Sequence, residues 1–173
     1  KGDCQTPILG ANVVLKVGVS PLTATSATDY IQPYTIINRR FGMKIGVIGI
    51  DIASKTKNSS SPDESTLFLD ETETAQKYID ELTLKGVNHI ILLTHYQYRN
   101  DLKLAQNLRG VDVIIGGDSH SLLGNFEELG LNSEGPYPTV VKNADGTKVC
   151  VAQAWQYSQI VGELNIEFTN DGV

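Results

Sequence analysis

The sequence predicts an α/β fold in which helices alternate with the strands of a sheet. The main evidence lies in residues 70–115, where helix-like and strand-like stretches follow one another in the order helix, strand, helix, strand. A second observation is that stretches 87–93 and 111–115 are largely apolar, which is typical of strands covered on both faces. The third is a content of 40% hydrophobic and 20% charged residues in 173 residues, which allows a sizeable core and argues against disorder.

The first part of the chain predicts strands separated by loops. Three stretches are rich in apolar or β-branched residues and fit strands: 8–15, 30–37 and 43–50. Pro33 indicates that the second of them lies at an edge or a bulge. The Phe41-Gly42 turn joins the second strand to the third, so we expect these two strands to form a hairpin. Residues 54–65 are polar and rich in serine, which predicts an exposed loop.

The middle and the end of the chain predict two helices and a second hairpin. The helices cover residues 70–85 and 99–108, and Gly86 and Gly110 end them. Each helix leads into one of the two apolar strands. The predicted hairpin pairs 140–141 with 149–154 around the turn Asn143-Ala144-Asp145-Gly146, and 160–168 is predicted as one last strand.

The charge balance excludes some partners. Lys and Arg number 14 against 20 Asp and Glu, so the formal net charge is −6 and gives no general attraction for nucleic acid. No apolar run approaches the roughly 20 residues that a membrane span needs. We therefore expect neither nucleic acid nor a membrane span. Cys4 and Cys150 lack metal-type spacing; they are either two small buried hydrophobes or a pair that the fold brings together.

Two histidines and an aspartate follow the ends of the predicted buried strands. His95 comes shortly after strand 87–93, while Asp118 and His120 follow strand 111–115 and the Gly116-Gly117 pair. The carboxyl ends of strands form the ligand crevice of α/β folds, and a carboxylate with imidazoles suits Zn²⁺ or Mn²⁺. The sequence therefore predicts a metal site, although three ligands suffice for one open site and not for two ions. The alternative is that Asp118 caps a turn and each histidine satisfies a local hydrogen bond.

Other polar and aromatic residues have a structural interpretation. His89 lies at the opposite end of its strand from His95, and Asp101 is expected to stabilise the first turn of its helix. Asp51 ends a strand and could approach the same crevice. Trp155 and Tyr157 either pack in the core or form a rim over the site.

An ordered series of motifs matches one known family over nearly all 173 residues. Its centre is Leu92-Leu93-Thr94-His95, Asp101-Leu102 and Gly116-Gly117-Asp118-Ser119-His120; its outer parts are Leu9-Gly10-Ala11-Asn12, Lys44-Ile45-Gly46-Val47-Ile48-Gly49, Tyr137-Pro138-Thr139-Val140-Val141 and Gly162-Glu163-Leu164. The series resembles the 5′-nucleotidase branch of the calcineurin-like metallophosphoesterases. It is most similar to secreted bacterial nucleotidases, including the periplasmic NAD-cleaving kind.

The resemblance implies a four-layer α/β/β/α sandwich with two divalent metal ions, such as Zn²⁺ or Mn²⁺, between two mixed sheets. His95 matches a ligand of the second metal, His120 sits where the family has a ligand of the first, and Asp118 occupies a position that is usually histidine. The family's earlier Asp-x-His and Gly-Asn-His motifs have no counterpart at the expected places. Residues 1–173 therefore resemble the C-terminal half of the catalytic domain, and they lack its N-terminal half and the separate substrate-binding domain.

The function that this resemblance implies is hydrolysis of nucleotide phosphomonoesters, with the pyrophosphate bonds of NAD or UDP-sugars as further substrates. The expected partners are a nucleotide and the remainder of the catalytic domain, and the expected location is periplasmic or extracellular. The metal ions are incompletely liganded by this chain, so the chain alone is expected to be inactive. The alternative is a non-catalytic binding or interaction domain that has kept the scaffold.

Overall fold

The computed structural model describes residues 6–23 and 25–169, so Cys4 lies outside the described residues. The helices there are α1 (Ala53–Ser59), α2 (Glu71–Leu84) and α3 (Tyr98–Asn107). The strands are β1 (Ile8–Leu9), β2 (Val13–Val14), β3 (Ile31–Gln32), β4 (Tyr34–Asn38), β5 (Lys44–Asp51), β6 (Leu67–Phe68), β7 (His89–His95), β8 (Val113–Ile115), β9 (Thr139–Lys142) and β10 (Lys148–Ala152).

Six strands form one mixed sheet in the order β4-β5-β7-β8-β10-β9. The four central strands β5, β7, β8 and β10 run parallel, and the two edge strands run antiparallel to their neighbours. Both predicted hairpins are present, as β4 with β5 and β9 with β10. The mixed sheet with its helices confirms the predicted α/β class, and it places the carboxyl ends of four strands along one edge.

The core lies between this sheet and helices α2 and α3. On the sheet side of the core, four fully buried side chains lie in register across the parallel strands: Ile48, Leu92, Ile114 and Val151. Helix α2 buries Ile79 and Leu82 in the same cluster, and α3 buries Leu104 there. Helix α2 begins where Asp70 accepts a hydrogen bond from the Glu73 backbone at 2.8 Å, as an N-cap does.

The opposite face of the sheet is apolar but only partly covered. Leu93 and Ile115 are each 42% exposed, and Ile37 on the edge strand is 39% exposed. The prediction that strand 87–93 is buried on both faces is therefore wrong for the described residues, because α2 and α3 cover only one face. An open cavity of about 600 Å³ lies over the other face, with Ile8 and Val13 on its far wall.

Three segments differ from the predicted elements. Residues 53–59 form α1, which replaces the first part of the predicted loop 54–65, and the Ala53 backbone N–H donates to the Glu71 carboxylate at 2.8 Å. The predicted strand 8–15 is two short strands, of which β1 pairs with β3 and β2 with β6. Residues 160–168 are not a strand, because they have no ladder partner among the described residues.

In the described part of the chain, no helix is long and apolar enough to cross a bilayer. Cys150 lies half-buried in β10.

Candidate metal centre at the strand ends

The structure brings His95 and Asp118 together at the carboxyl edge of the sheet. His95 is the last residue of β7, and Asp118 follows the end of β8, which is the parallel neighbour of β7. His95 Nε2 lies 3.2 Å from Asp118 Oδ1. Parallel neighbours end at the same edge, and this places the two side chains side by side. The sequence predicted that His95, Asp118 and His120 lie in one site, and the distance brings the first two of them together.

Two further side chains hold the Asp118 carboxylate. Lys55 on α1 donates a hydrogen bond from Nζ to Oδ1, and Gln97 Nε2 donates to Oδ2 at 3.0 Å. Burial by itself raises the pKa of the Asp118 carboxyl, but the hydrogen bonds from Lys55 and Gln97 and the nearby His95 outweigh it. The pKa of Asp118 therefore lies below its ordinary value of 3.8, and the carboxylate is charged at neutral pH.

The His95 and Asp118 pair fits two adjoining ligands of one metal ion. Zinc binds imidazole nitrogen and carboxylate oxygen at about 2.0–2.2 Å, so two ligands of one tetrahedral ion lie about 3.3–3.6 Å apart. The observed 3.2 Å is close to the lower end of this range. The side chains of the described residues offer no group of three or more His, Cys, Asp or Glu that could hold a metal. A metal ion bound by this pair would need further ligands.

His120 does not join this pair. Its ring packs edge-on against Tyr157, with ring centroids 5.5 Å apart, and its backbone is left-handed, with φ 54°. Tyr157 is 78% exposed, so it does not pack in the core, which was one of the two positions that the sequence left open. The role of His120 as a ligand stays a prediction.

Strained backbone is concentrated around the site. Eight residues other than glycine have positive φ in the described ranges, and six of them follow the ends of β7, β8 and β10: Gln97, Asp118, His120, Trp155, Tyr157 and Ser158. Such conformations cost energy and occur mainly where a functional geometry requires them. The cluster of positive φ angles therefore supports the interpretation that this edge of the sheet is functional. No pattern in the sequence had predicted the cluster.

A buried carboxyl group lies directly behind the site. Asp101 has no solvent exposure; its Oδ1 accepts a hydrogen bond from Thr94 Oγ1 at 2.7 Å, and its Oδ2 has no partner. Burial raises the pKa of Asp101 to about 7, although the Thr94 hydrogen bond lowers it. A Cβ atom on Gly116 would overlap Oδ2. Asp101 lies in the first turn of α3, where the sequence placed it, and its side chain points into the protein.

Ser119 anchors the loop that carries Asp118 and His120. Its Oγ accepts a hydrogen bond from the Tyr98 backbone N–H at 2.9 Å and donates to Gln153 Oε1 at 3.0 Å. The loop is thus tied to the start of α3 and to the end of β10. No pattern in the sequence indicated a role for Ser119, Lys55 or Gln97 in the site.

The other candidates have distinct surroundings. His89 is buried at the amino end of β7, and its ring centroid lies 4.5 Å from that of Phe168, in keeping with a structural role. Asp51 is the register partner of His95 in β5, and both line the open cavity. Asp51 thus approaches the crevice, as the sequence suggested it could.

Comparison with known proteins identifies relatives over nearly the whole chain. A probable 5′-nucleotidase of Treponema pallidum is 40% identical over 171 residues, which cover 98% of this chain and 28% of that protein. The structure of the NAD nucleotidase of Haemophilus influenzae superposes with a TM-score of 0.89 at 38% identity, covering 98% of this chain and 29% of that one.

A second solved structure agrees. The 5′-nucleotidase precursor of Thermus thermophilus has a TM-score of 0.76 and 43% identity, over 87% of this chain and 28% of that one. The chain matches no protein-family model. It spans less than a third of the length of these relatives. The resemblance inferred from the motifs is confirmed: over nearly its whole length the chain is similar to part of proteins of the 5′-nucleotidase family.

Proposed function

We propose that the protein containing this chain is a metal-dependent hydrolase of nucleotides. The proposed reaction is hydrolysis of nucleotide phosphomonoesters, and the pyrophosphate bonds of NAD or UDP-sugars are proposed as further substrates. Relatives described as 5′-nucleotidases and as an NAD nucleotidase support this choice. They do not favour the alternative of a non-catalytic binding domain.

The observation that carries the proposal is the 3.2 Å distance between His95 Nε2 and Asp118 Oδ1. An imidazole and a carboxylate at the end of a rigid sheet are ligands that suit Zn²⁺ or Mn²⁺. In our proposal His95 and Asp118 bind one of two divalent ions, and His120 is a ligand of the other. Bound ions of this kind lower the pKa of water and stabilise negative charge on phosphoryl oxygens.

The chain's own residues orient these ligands. Gln97 holds Asp118 Oδ2 at 3.0 Å, so the carboxylate keeps its orientation. The loop behind Asp118 is fixed through Ser119 and Gln153. Such support from surrounding groups is needed for a site of fixed geometry.

We also propose that residues 1–173 form the C-terminal half of the catalytic domain. The open sheet face with Ile37, Leu93 and Ile115 has the apolar surface that a second sheet covers in a layered sandwich. The remainder of the domain would pack there and complete the metal cage. The isolated chain is then inactive. We further propose a periplasmic or extracellular location, which the description of the Thermus relative as a precursor supports.

The test uses the complete protein and AMP. We expect hydrolysis that EDTA abolishes and that added Zn²⁺ or Mn²⁺ restores. His95→Ala and Asp118→Asn should each lower the rate by more than the roughly 10- to 100-fold typical of mutating groups behind a ligand. Asp80→Asn, on the exposed side of α2, is the matched control and should stay within about twofold of the wild type.

Other outcomes decide against the proposal. Hydrolysis that resists EDTA would contradict the metal-dependent mechanism, and full activity of His95→Ala would contradict the site. Nucleotide binding without hydrolysis by the metal-loaded protein would favour the binding domain. Rapid, EDTA-sensitive hydrolysis by the isolated 173-residue chain would show that the chain carries a complete site.

A further inference from the structure

We infer that Lys55 binds a phosphate group of the substrate, and that its ammonium group changes partner from Asp118 to a phosphate oxygen when Asp118 binds a metal ion. The inference rests on the proposed function. Lys55 lies on α1, in the segment that the sequence predicted to be an exposed loop. The ligand class is a phosphate monoester or inorganic phosphate.

The position of Lys55 is fixed relative to the site. The backbone N–H of Ile52, the residue before α1, donates to the His95 carbonyl oxygen at 3.0 Å. At the same end of the helix, the Ala53 backbone N–H donates to the Glu71 carboxylate at 2.8 Å. Helix α1 is thus tied to the last residue of β7, and Lys55 extends from its first turn over the carboxyl edge of the sheet.

The ion pair of Lys55 with Asp118 joins a half-exposed group to a buried one. The Lys55 side chain is 49% exposed, whereas that of Asp118 is 5% exposed. An anion can therefore reach the ammonium group from solvent while Asp118 stays enclosed. Gln97 and His95 also contact Asp118, so the carboxylate does not depend on Lys55 for its position.

The chemistry favours the exchange. An ammonium group is a compact charge with three donors on a flexible stem, and lysine is a common ligand of phosphate. A metal ion bound by Asp118 neutralises the carboxylate and repels the ammonium group. A phosphate bound at the same edge then offers the nearest negative charge.

The competing interpretation is an ion pair that only supports the fold, as many partly exposed pairs do. The two interpretations differ in what Lys55→Met changes. If Lys55 binds phosphate, the variant loses affinity for phosphate and keeps its affinity for metal. If Lys55 only supports Asp118, the variant loses metal first.

The experiment measures inorganic phosphate binding to the complete, zinc-loaded protein by calorimetry, and zinc binding to the metal-free protein. Loss of a charge-assisted hydrogen bond should raise the Kd for phosphate about 10- to 100-fold in Lys55→Met. Lys55→Arg keeps the charge and should stay within about fivefold of the wild type. The matched control is Lys57→Met, an exposed lysine of the same helix, which should stay within about twofold.

We also expect the zinc Kd of Lys55→Met to equal that of the wild type or to be lower, and the KM for AMP to rise more than kcat falls. Equal phosphate affinity of Lys55→Met and Lys57→Met would overturn the inference, and so would a loss of zinc that matches the loss of phosphate. If the wild type binds phosphate through Lys55 but hydrolyses no nucleotide, the proposed function fails and the binding role stands.

Discussion

Asp101 allows a pH-dependent test of the packing behind the site. Its carboxyl group is fully buried, and burial raises its pKa from 3.8 to about 7. Between these two pH values the Asp101 carboxyl therefore keeps its proton in the folded chain and releases it in the unfolded chain. The contribution of this group to the stability of the folded state is fully present below about pH 4 and is lost as the pH rises through about 7. The whole effect is about 4 kcal/mol, of which about 2.5 kcal/mol falls between pH 5 and pH 8.

The perturbation is Asp101→Asn, which keeps the shape and the acceptor for Thr94 but cannot ionise. Urea titrations at pH 5 and pH 8 can follow the fluorescence of Trp155, the single tryptophan of the chain. From pH 5 to pH 8, the free energy of unfolding of the wild type should fall by about 2.5 kcal/mol more than that of Asp101→Asn. The amide adds donors beside Gly116, so the absolute stability can fall at both pH values, and the slope is the diagnostic quantity.

The control for this experiment is Glu64→Gln, an exposed carboxyl group that should leave the pH slope unchanged within about 0.5 kcal/mol. If Asp101→Asn and the wild type show the same loss of stability from pH 5 to pH 8, Asp101 is not a buried, protonated group. The account of the packing behind the site would then be refuted.

The remaining predictions concern packing around the sheet. Gly116→Ala should lower the free energy of unfolding by about 1–3 kcal/mol, since its Cβ would overlap Asp101 Oδ2, and Gly117→Ala should cost less because the nearest atom lies at 3.3 Å. Equal losses in urea titration would contradict this contact. Leu92→Ala should cost about 2–5 kcal/mol, whereas Leu84→Ala, at a site 90% exposed, should cost under about 0.5 kcal/mol. A small loss for Leu92→Ala would place it outside the core.

The sequence predicted those parts of the fold whose signal is local. Strand β5 and helix α2 were found because apolar runs and helical spacing are properties of consecutive residues. Helix α1 was missed, because the contact that caps its first turn comes from Glu71, 18 residues away. Apart from Ala53, its own residues are Ser, Thr, Asn and Lys, a composition that resembles a loop. Residues 160–168 were overpredicted, because a β-branched stretch forms a strand only beside a partner.

The part of the site with a local signal was also predicted. His95 and Asp118 each follow a strand that the sequence shows, and parallel strands end at one edge. Lys55 lies 63 residues from Asp118, so only the tertiary fold shows that they meet. The burial of Asp101 did have a signal. It precedes Leu104 by three residues and Ala105 by four, so it lies on the apolar face of α3.

The most direct test of the central claim is the position of the metal in the complete protein. A crystal of the zinc-loaded protein, measured at the zinc absorption edge, locates the ions without assumption. The account predicts an ion at about 2.0–2.2 Å from both His95 Nε2 and the Asp118 carboxylate. An active, zinc-loaded protein whose ions all bind elsewhere, with His95 and Asp118 still hydrogen-bonded to each other, would contradict it.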